Sequence, residues 1–109
     1  MFFPNFLLGI RIPDHDFIRA LCRNCRGPIA LTSANPSSAA STLSIDEFKR
    51  LFPALHTVYD GGVLGDTPEA RAGSTVVDLS QEGVYRVVRD GSAISRTRSI
   101  LEGHGLREA

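Results

Sequence analysis

A short apolar run that breaks into small polar residues, between positions 27 and 41, constrains this chain more than any other feature. Residues 28–31 have the length and the flanking residues of a buried strand. Pro36 disfavours a helical conformation for Asn35, so the strand must end in a loop. This loop carries hydroxyl and amide side chains, a composition that often binds ligands at the end of a rigid strand: Thr32, Ser33, Asn35 and Ser41. A connector that satisfies only its own backbone has the same composition, so both interpretations stay open.

The length, composition and net charge of the chain indicate one small domain without a dominant charge. The 109 residues are enough for one domain at most, and a hydrophobic fraction of 42% is ordinary for a folded protein. A formal net charge of zero gives no overall attraction to nucleic acid or to a membrane surface. The charge is uneven, because residues 86–107 contain five arginines against Asp90 and Glu102. That local excess indicates either a solvated face or an anion-binding site.

The two cysteines, Cys22 and Cys25, have a C-x-x-C spacing that occurs in redox pairs and in zinc sites. A zinc site needs two further ligands, and the three histidines are scattered without a metal-ligand spacing. The pair also lies in an amphipathic segment. We therefore expect buried or half-buried structural thiols, and nothing in this pattern requires an oxidising compartment.

The amino terminus is apolar over residues 1–10, which is too short a stretch to span a bilayer. It has no basic segment before the apolar one and no evident cleavage site. We therefore expect neither a membrane span nor a signal peptide. A domain that begins abruptly on an apolar segment also suggests that a preceding part of the fold is missing.

The hydrophobic spacing in the first part of the chain predicts a strand, a helix and a second strand. The first strand covers residues 7–12. Asp14 then caps a helix whose apolar face contains Phe17 and Leu21. The strand over residues 28–31 follows this helix.

The second part of the chain begins with a capping box, Ser44 with Glu47, which predicts a short helix that ends before Pro53. The remaining pattern predicts three strands and a last helix, capped by Ser92 and ended by Gly103. The three strands cover residues 56–59, 74–79 and 84–89. This order predicts the α/β (α+β) class, with a twisted mixed sheet and flanking helices.

Three groups of polar residues stand at the predicted ends of strands, where they can converge. They are Ser33 with Asn35 and Ser41, Ser74 with Thr75, and Arg89 with Gly91. Hydroxyls, an amide and a guanidinium are groups that bind a phosphate or a nucleotide. The sequence contains no Walker A motif, no G-x-G-x-x-G and no supported Ser-His-Asp arrangement. The residues alone therefore indicate an anionic or nucleotide ligand without defining how it binds.

Five segments in a fixed order carry a specific resemblance to a known family. They are Arg-Ile-Pro-Asp-His at 11–15, Pro-Ile-Ala-Leu-Thr-Ser-Ala-Asn-Pro-Ser at 28–37, Asp-Gly-Gly at 60–62, Gly-Ser-Thr-Val-Val-Asp-Leu at 73–79 and Val-Arg-Asp-Gly at 88–91. Together they resemble the YrdC-like family of threonylcarbamoyl-adenylate synthases over nearly the whole chain. The resemblance implies a YrdC/RibB-like fold truncated at its N-terminus. Residues 9–109 would be the C-terminal portion of that domain, after a divergent segment over residues 1–8.

The resemblance also implies a reaction and its partners. Such enzymes combine L-threonine, bicarbonate and ATP, with Mg²⁺ bound to the ATP, into threonylcarbamoyl-AMP and pyrophosphate. A downstream threonylcarbamoyl-transferase complex then modifies an adenosine of tRNA. Some relatives bind double-stranded RNA on a concave, positively charged face. The cytoplasm and the mitochondrion are both compatible locations.

The resemblance assigns ligand contacts to seven positions of this chain. The implied ATP contacts are Ser33, Asn35, Ser41 and Arg89. The implied L-threonine contacts are Arg11, Leu31 and Ser74, of which Leu31 would contribute only its backbone. Arg11 suits the threonine carboxylate, because a guanidinium pairs well with a carboxylate. No catalytic nucleophile and no metal ligand are implied.

The sequence departs from the family in its charged motif. Family members carry, in their N-terminal half, a Lys-x-Arg motif that works together with Ser-x-Asn, whereas this chain has a single lysine, Lys49, followed directly by Arg50. Relatives also place a nucleotide-contacting threonine where this chain has Leu7. We therefore expect the chain alone to have little or no synthase activity. The alternatives are a non-catalytic module that binds double-stranded RNA or tRNA, and an unstable product without activity.

Overall fold

The structure, a computed structural model, describes residues 7–35 and 39–109. The chain divides into two compact units, Met1–Thr32 and Ser33–Ala109. The expected boundary between residues 1–8 and 9–109 stays a prediction, and residues 1–6 lie outside the described part. Among the described residues, no helix is long and apolar enough to cross a membrane.

The N-terminal unit contains one described helix, α1 (Asp16–Asn24), which confirms the predicted helix. Its N-terminal cap is His15, so the prediction of Asp14 as the cap is wrong. Asp14 is bound instead by Arg19, whose Nη2 donates to the carboxylate at 2.7 Å. Arg19 Nε also donates to the Pro13 carbonyl at 2.8 Å. The arginine thereby holds the segment before α1 and occupies the carboxylate that would otherwise cap the helix.

The predicted strands over residues 7–12 and 28–31 are wrong, because the described residues of this unit form no strand. Ile10 is 78% exposed and Ile12 is 89% exposed. A strand requires a hydrogen-bonded neighbour, and neither segment has one in the described structure. Alternation of apolar residues alone was therefore not sufficient to form a strand here.

The expectation of buried or half-buried thiols is also wrong. Cys22 and Cys25 are both free and exposed. Helix α1 has no buried residue, although its sequence is amphipathic. The described residues of this unit contain no second helix or strand to cover the apolar face, so the thiols at its end stay in contact with solvent.

The C-terminal unit contains a 3₁₀ helix, Ile45–Ala54, at the predicted capping box. The Glu47 carboxylate accepts a hydrogen bond from the Ser44 N–H at 3.2 Å, which agrees with the predicted start. The predicted end before Pro53 is wrong, since the 3₁₀ geometry continues past this proline. The backbone leaves helical angles at Phe48 (φ −128°, ψ 23°). Short 3₁₀ turns each close on their own, so this segment tolerates both the kink and the proline.

The predicted strand over residues 56–59 is wrong as well, because loops connect this 3₁₀ helix to a second one, Pro68–Ala72. The loop is tied back to the start of the unit, where the Leu64 N–H donates to the Leu43 carbonyl at 2.8 Å. This bond goes to an irregular segment rather than to a strand, so it is not part of a ladder.

The sheet has three strands: β1 (Val76–Asp78), β2 (Val84–Arg89) and β3 (Arg107–Glu108), in that spatial order. Strand β1 pairs antiparallel with β2 in a register that places Val77 opposite Val87. Strand β3 pairs parallel with β2. The predicted strand over residues 84–89 is confirmed with its bounds. The strand predicted over residues 74–79 is present but shorter, and β3 was not predicted because it has only two residues, both charged.

Helix α2 (Ile94–Gly103) confirms the predicted last helix, but its N-terminal cap is Ala93 rather than the predicted Ser92. The Ser92 N–H donates to the Gly73 carbonyl at 3.0 Å. Ser92 is thus held by a neighbouring loop, and α2 begins one residue later than predicted. The two α-helices and the mixed sheet confirm the α/β class.

The core of the C-terminal unit is small and centres on Tyr85 of β2, which is fully buried. Its hydroxyl donates to Glu102 at 2.9 Å and also lies 3.3 Å from Glu108. Burial, followed by the contact with Glu102, raises the pKa of Tyr85 to about 12. Arg98 donates two hydrogen bonds to the Glu108 carboxylate, at 2.9 and 3.0 Å. This network attaches α2 and β3 to the buried tyrosine.

Candidate functional site

The candidate site of the C-terminal unit is built around Gly73, which follows the second 3₁₀ helix. Its backbone angles (φ 76°, ψ −169°) are available to glycine and strained for other residues. A Cβ at this position would lie 3.3 Å from the Ser41 hydroxyl and 3.6 Å from Arg89 Nη2. The hydroxyl and the guanidinium therefore lie against the same bare backbone.

Arg89 is the last residue of β2, and its guanidinium is oriented by a backbone contact. Its Nε donates to the Ser74 carbonyl at 2.7 Å. The register between β1 and β2 is irregular between Val76 and Val77, next to the position where Val76 pairs with Arg89. Such irregularities redirect side chains at the end of a strand. In the described part of the chain the terminal nitrogens of Arg89 make no hydrogen bond or ion pair, so they can receive an anion.

Gly91 makes the close packing behind this arginine possible. A Cβ at Gly91 would lie 2.6 Å from the Gly73 carbonyl oxygen and closer still to backbone atoms of Ser74 and Thr75. The two loops are also hydrogen-bonded, since the Ala93 N–H donates to the Thr75 hydroxyl at 3.2 Å. The segment that carries Ser74 is thereby fixed against the segment that follows Arg89.

Ser41 reaches the site from a different part of the chain and is held by Arg71. Arg71 Nη1 donates to the Ser41 carbonyl at 3.2 Å and forms an ion pair with Glu47 at 2.7 Å. The Leu43 N–H bond, followed by Arg71, lowers the pKa of Glu47, so the carboxylate stays ionised at neutral pH. Sequence reasoning found Glu47 only as a capping residue and missed its pairing with Arg71. The two residues are too far apart in the sequence for a local pattern to connect them.

Ser33 and Asn35 lie on the loop that precedes Ser41. Ser33 is exposed and Asn35 is half-buried. Asn35 Nδ2 donates to the Ala39 carbonyl at 2.9 Å, and residues 36–38 lie outside the described part. Their assignment as nucleotide contacts stays a prediction.

The predicted L-threonine contacts are divided between the two units. Arg11 and Leu31 are exposed residues of the N-terminal unit, whereas Ser74 belongs to the C-terminal unit. The structure thus brings Ser41, Ser74 and Arg89 together around Gly73, and their ligand roles remain predictions. A guanidinium, a hydroxyl and a glycine backbone at one point form a cradle suited to an anion.

A comparison with known families identifies the chain. A family model named for Sua5, YciO and YrdC, with the description "Telomere recombination", matches residues 5–91. The chain belongs to the Sua5/YciO/YrdC family. This match confirms the family resemblance found in the sequence. It spans all seven predicted contact positions and both glycines of the candidate site, and the contacts themselves stay predictions. Helix α2 and strand β3 lie entirely beyond it.

Curated relatives carry a common name. Threonylcarbamoyl-AMP synthase of Rattus norvegicus is 54% identical over 103 residues, which are 92% of this chain and 37% of that protein. The Homo sapiens protein of the same name is 53% identical over 98 residues, or 88% of this chain and 35% of that protein. The Saccharophagus degradans protein of the same name is 32% identical over 81 residues, or 72% of this chain and 40% of that protein. The chain therefore spans less than half of the length of each of these relatives. No solved structure matches it significantly.

Proposed function

We propose that this chain carries part of the nucleotide site of a threonylcarbamoyl-AMP synthase. The observation that carries the proposal is the position of the Ser41 hydroxyl and the Arg89 guanidinium, which both lie against Gly73. A hydroxyl and a guanidinium beside a glycine backbone can bind a phosphate, because both side chains donate hydrogen bonds to the phosphate oxygens. The name shared by the relatives supports this choice of reaction.

The proposed reaction joins L-threonine, bicarbonate and ATP. The amino nitrogen of threonine forms a carbamate with bicarbonate, and water leaves. A carbamate oxygen then attacks the α-phosphorus of ATP, the bond to the next phosphate breaks, and pyrophosphate leaves with the electron pair. Such a transfer depends on charge neutralisation and in-line positioning rather than on a covalent nucleophile of the protein.

In this proposal Arg89 supplies the charge at the nucleotide. Its Nε stays on the Ser74 carbonyl at 2.7 Å, which fixes the plane of the guanidinium while the terminal nitrogens donate to a phosphate oxygen. Neutral donors and acceptors would come from Ser33, Asn35 and Ser41. Because the arginine is oriented before ATP arrives, little side-chain entropy is lost on binding.

The remaining assignments concern L-threonine and the metal ion. Arg11 would pair with the threonine carboxylate, Leu31 would offer its backbone, and Ser74 would contact the same substrate. Mg²⁺ would enter with the phosphates of ATP as part of the substrate complex. Within residues 7–35 and 39–109, no group of three or more His, Cys, Asp or Glu side chains is arranged to hold a metal ion.

The later steps belong to the same proposal. The product would pass to a threonylcarbamoyl-transferase complex that modifies an adenosine of tRNA, in the cytoplasm or the mitochondrion. A purely RNA-binding role has less support. Of the five arginines in residues 86–107, Arg98 is paired with the Glu108 carboxylate, which compensates its charge. The uncompensated basic charge of this region is therefore smaller than the count of arginines suggests.

Isothermal titration of the 109-residue chain with ATP and Mg²⁺ tests the proposal. We expect saturable binding that Arg89→Ala weakens by about tenfold or more, the loss expected for a charged hydrogen bond. Arg86→Ala is the matched control, because this exposed arginine lies on the same strand, three residues away, on the opposite face. Affinity for ATP should change by less than about twofold in that variant.

Two results would contradict the proposal. Absence of ATP binding by the chain would remove the nucleotide site, and equal losses in the two arginine variants would reduce it to general electrostatic attraction. Binding of double-stranded RNA with a steep salt dependence, without ATP binding, would favour the RNA-binding module instead.

A further inference from the structure

Two charged residues outside the predicted contact set connect the segments that build the site. Arg71 Nη1 lies 2.7 Å from Glu47 Oε1 and donates to the Ser41 carbonyl at 3.2 Å. Arg71 belongs to the second 3₁₀ helix and precedes Gly73 by two residues. One guanidinium nitrogen therefore ties the backbone of Ser41 to the segment that carries Gly73.

The other oxygen of Glu47 fixes the residues that follow Ser41. Oε2 accepts hydrogen bonds from the backbone N–H groups of Leu43 and Ser44. Leu43 is buried, and its carbonyl accepts the Leu64 N–H at 2.8 Å. The carboxylate thus stands between Arg71 and the backbone of residues 43 and 44. Both of its oxygens are occupied, so its position is well defined.

From this geometry we infer that Glu47 and Arg71 are positioning residues, which hold the Ser41 hydroxyl beside Gly73 and Arg89 for nucleotide binding. The inference rests on the proposed function. Neither residue needs to touch ATP, since the contact runs through the Ser41 carbonyl. Loss of the pair frees the Ser41 segment and leaves Arg89 on the Ser74 carbonyl, because that hydrogen bond does not involve Arg71.

The Glu47–Arg71 pair is partly exposed, so a role in positioning Ser41 can be distinguished from a role in stabilising the fold. The Arg71 side chain is 45% exposed and that of Glu47 is 31% exposed. Ion pairs with this degree of exposure contribute little to global stability. A positioning role therefore predicts that ATP affinity falls while the melting temperature hardly changes.

The chain contains a matched control on the same 3₁₀ helix. Lys49 forms an ion pair with Asp46 at 2.6 Å, and both side chains are largely exposed. This pair has the same charges but is more exposed than Arg71 and Glu47, and it makes no contact with Ser41 in the described structure. Lys49→Ala should therefore leave both the ATP affinity and the melting temperature unchanged.

Calorimetric titration with ATP and Mg²⁺, together with thermal unfolding, tests the inference. We expect Arg71→Ala and Glu47→Gln each to weaken ATP binding by about three- to tenfold, the range for one lost neutral hydrogen bond at Ser41. The double variant should be no weaker than Arg71→Ala alone, because Glu47 orients the Ser41 carbonyl contact through Arg71. Arg71→Lys should recover part of the affinity, because a lysine can still reach one of the two acceptors.

The outcomes separate this inference from the proposed function. If the chain binds ATP and Arg89→Ala weakens binding while Arg71→Ala does not, the positioning role is wrong and the nucleotide site stands. A fall in melting temperature that accounts for the lost affinity, or additive losses in the double variant, would also overturn it. If the unaltered chain does not bind ATP, the proposed function and this inference fail together.

Discussion

A methyl group at Gly91 has no room in this structure. The added Cβ of Gly91→Ala would lie 2.6 Å from the Gly73 carbonyl oxygen and closer still to backbone atoms of Ser74 and Thr75. All of these neighbours are backbone, so no flexible side chain can rotate away. The loop before β1 and the loop after β2 must therefore separate.

The cost follows from two effects. Overpacking of this kind costs about 1–3 kcal/mol of the free energy of unfolding. Separation of the loops also weakens the hydrogen bond from the Ser92 N–H to the Gly73 carbonyl, which is 3.0 Å long in the structure. That loss adds about 1 kcal/mol. We expect a total of about 2–4 kcal/mol and a melting temperature lower by at least about 8 °C.

Thermal unfolding followed by circular dichroism measures this effect, and Gly103→Ala is the control. Gly103 is the last residue of α2, and an added Cβ there would meet no atom within 4 Å. Alanine favours a helix, so this variant should be as stable as the original or more stable by up to about 1 kcal/mol. Gly91→Ala should also weaken ATP binding, because Arg89 lies two residues before it.

A melting temperature of Gly91→Ala within about 2 °C of that of the unaltered protein would refute this expectation. Such a result would mean that the two loops are not in contact as described. Equal destabilisation by Gly91→Ala and Gly103→Ala would likewise show that local helix and loop propensities, rather than packing, control the effect.

Three further predictions concern pH and activity. Because burial raises the pKa of Tyr85 from 10.0 to about 12, its contribution to the free energy of unfolding should be present up to pH 10 and be lost as the pH rises toward 12. Ultraviolet titration of tyrosinate in a Tyr59→Phe background should find ionisation of Tyr85 near pH 12. Ionisation near pH 10 would contradict its buried position. Because Arg98 lowers the pKa of Glu108 below 4.5, its contribution is present above pH 4.5 and lost as pH falls below it. Glu108→Gln should therefore flatten the acid loss of stability in denaturant titrations, whereas Glu82→Gln should not. Finally, the isolated chain should form little or no threonylcarbamoyl-AMP from L-threonine, bicarbonate and ATP, since it lacks Lys-x-Arg; ready product formation would refute this.

The sequence was most informative where local signals agree. Strand β2 was predicted with its bounds because alternation and flanking turns coincide, and α1 and α2 follow from helical spacing. The strands predicted over residues 7–12, 28–31 and 56–59 do not form, because a strand depends on a neighbour that a local pattern cannot supply. For the same reason the two-residue strand β3 could not be predicted from the sequence, because only its pairing with β2 makes it a strand.

The candidate site was predictable in its residues more than in its construction. Hydroxyl, amide and guanidinium groups at loop edges indicated an anion site, and the structure brings Ser41 and Arg89 together at Gly73. The Glu47–Arg71 link was not predictable, since it joins segments distant in sequence. The thiols of Cys22 and Cys25 were wrongly predicted to be buried, because an amphipathic pattern leads to burial only when another element covers the apolar face.

The most direct test of the central claim is the amide NMR spectrum of the chain titrated with ATP and Mg²⁺. We expect saturable shifts of the amide signals of Gly73, Ser74 and Gly91, loss of these shifts in Arg89→Ala, and little change at Tyr85. Saturable shifts confined to Tyr85 and β3, or no shifts at all, would contradict a nucleotide site at Gly73.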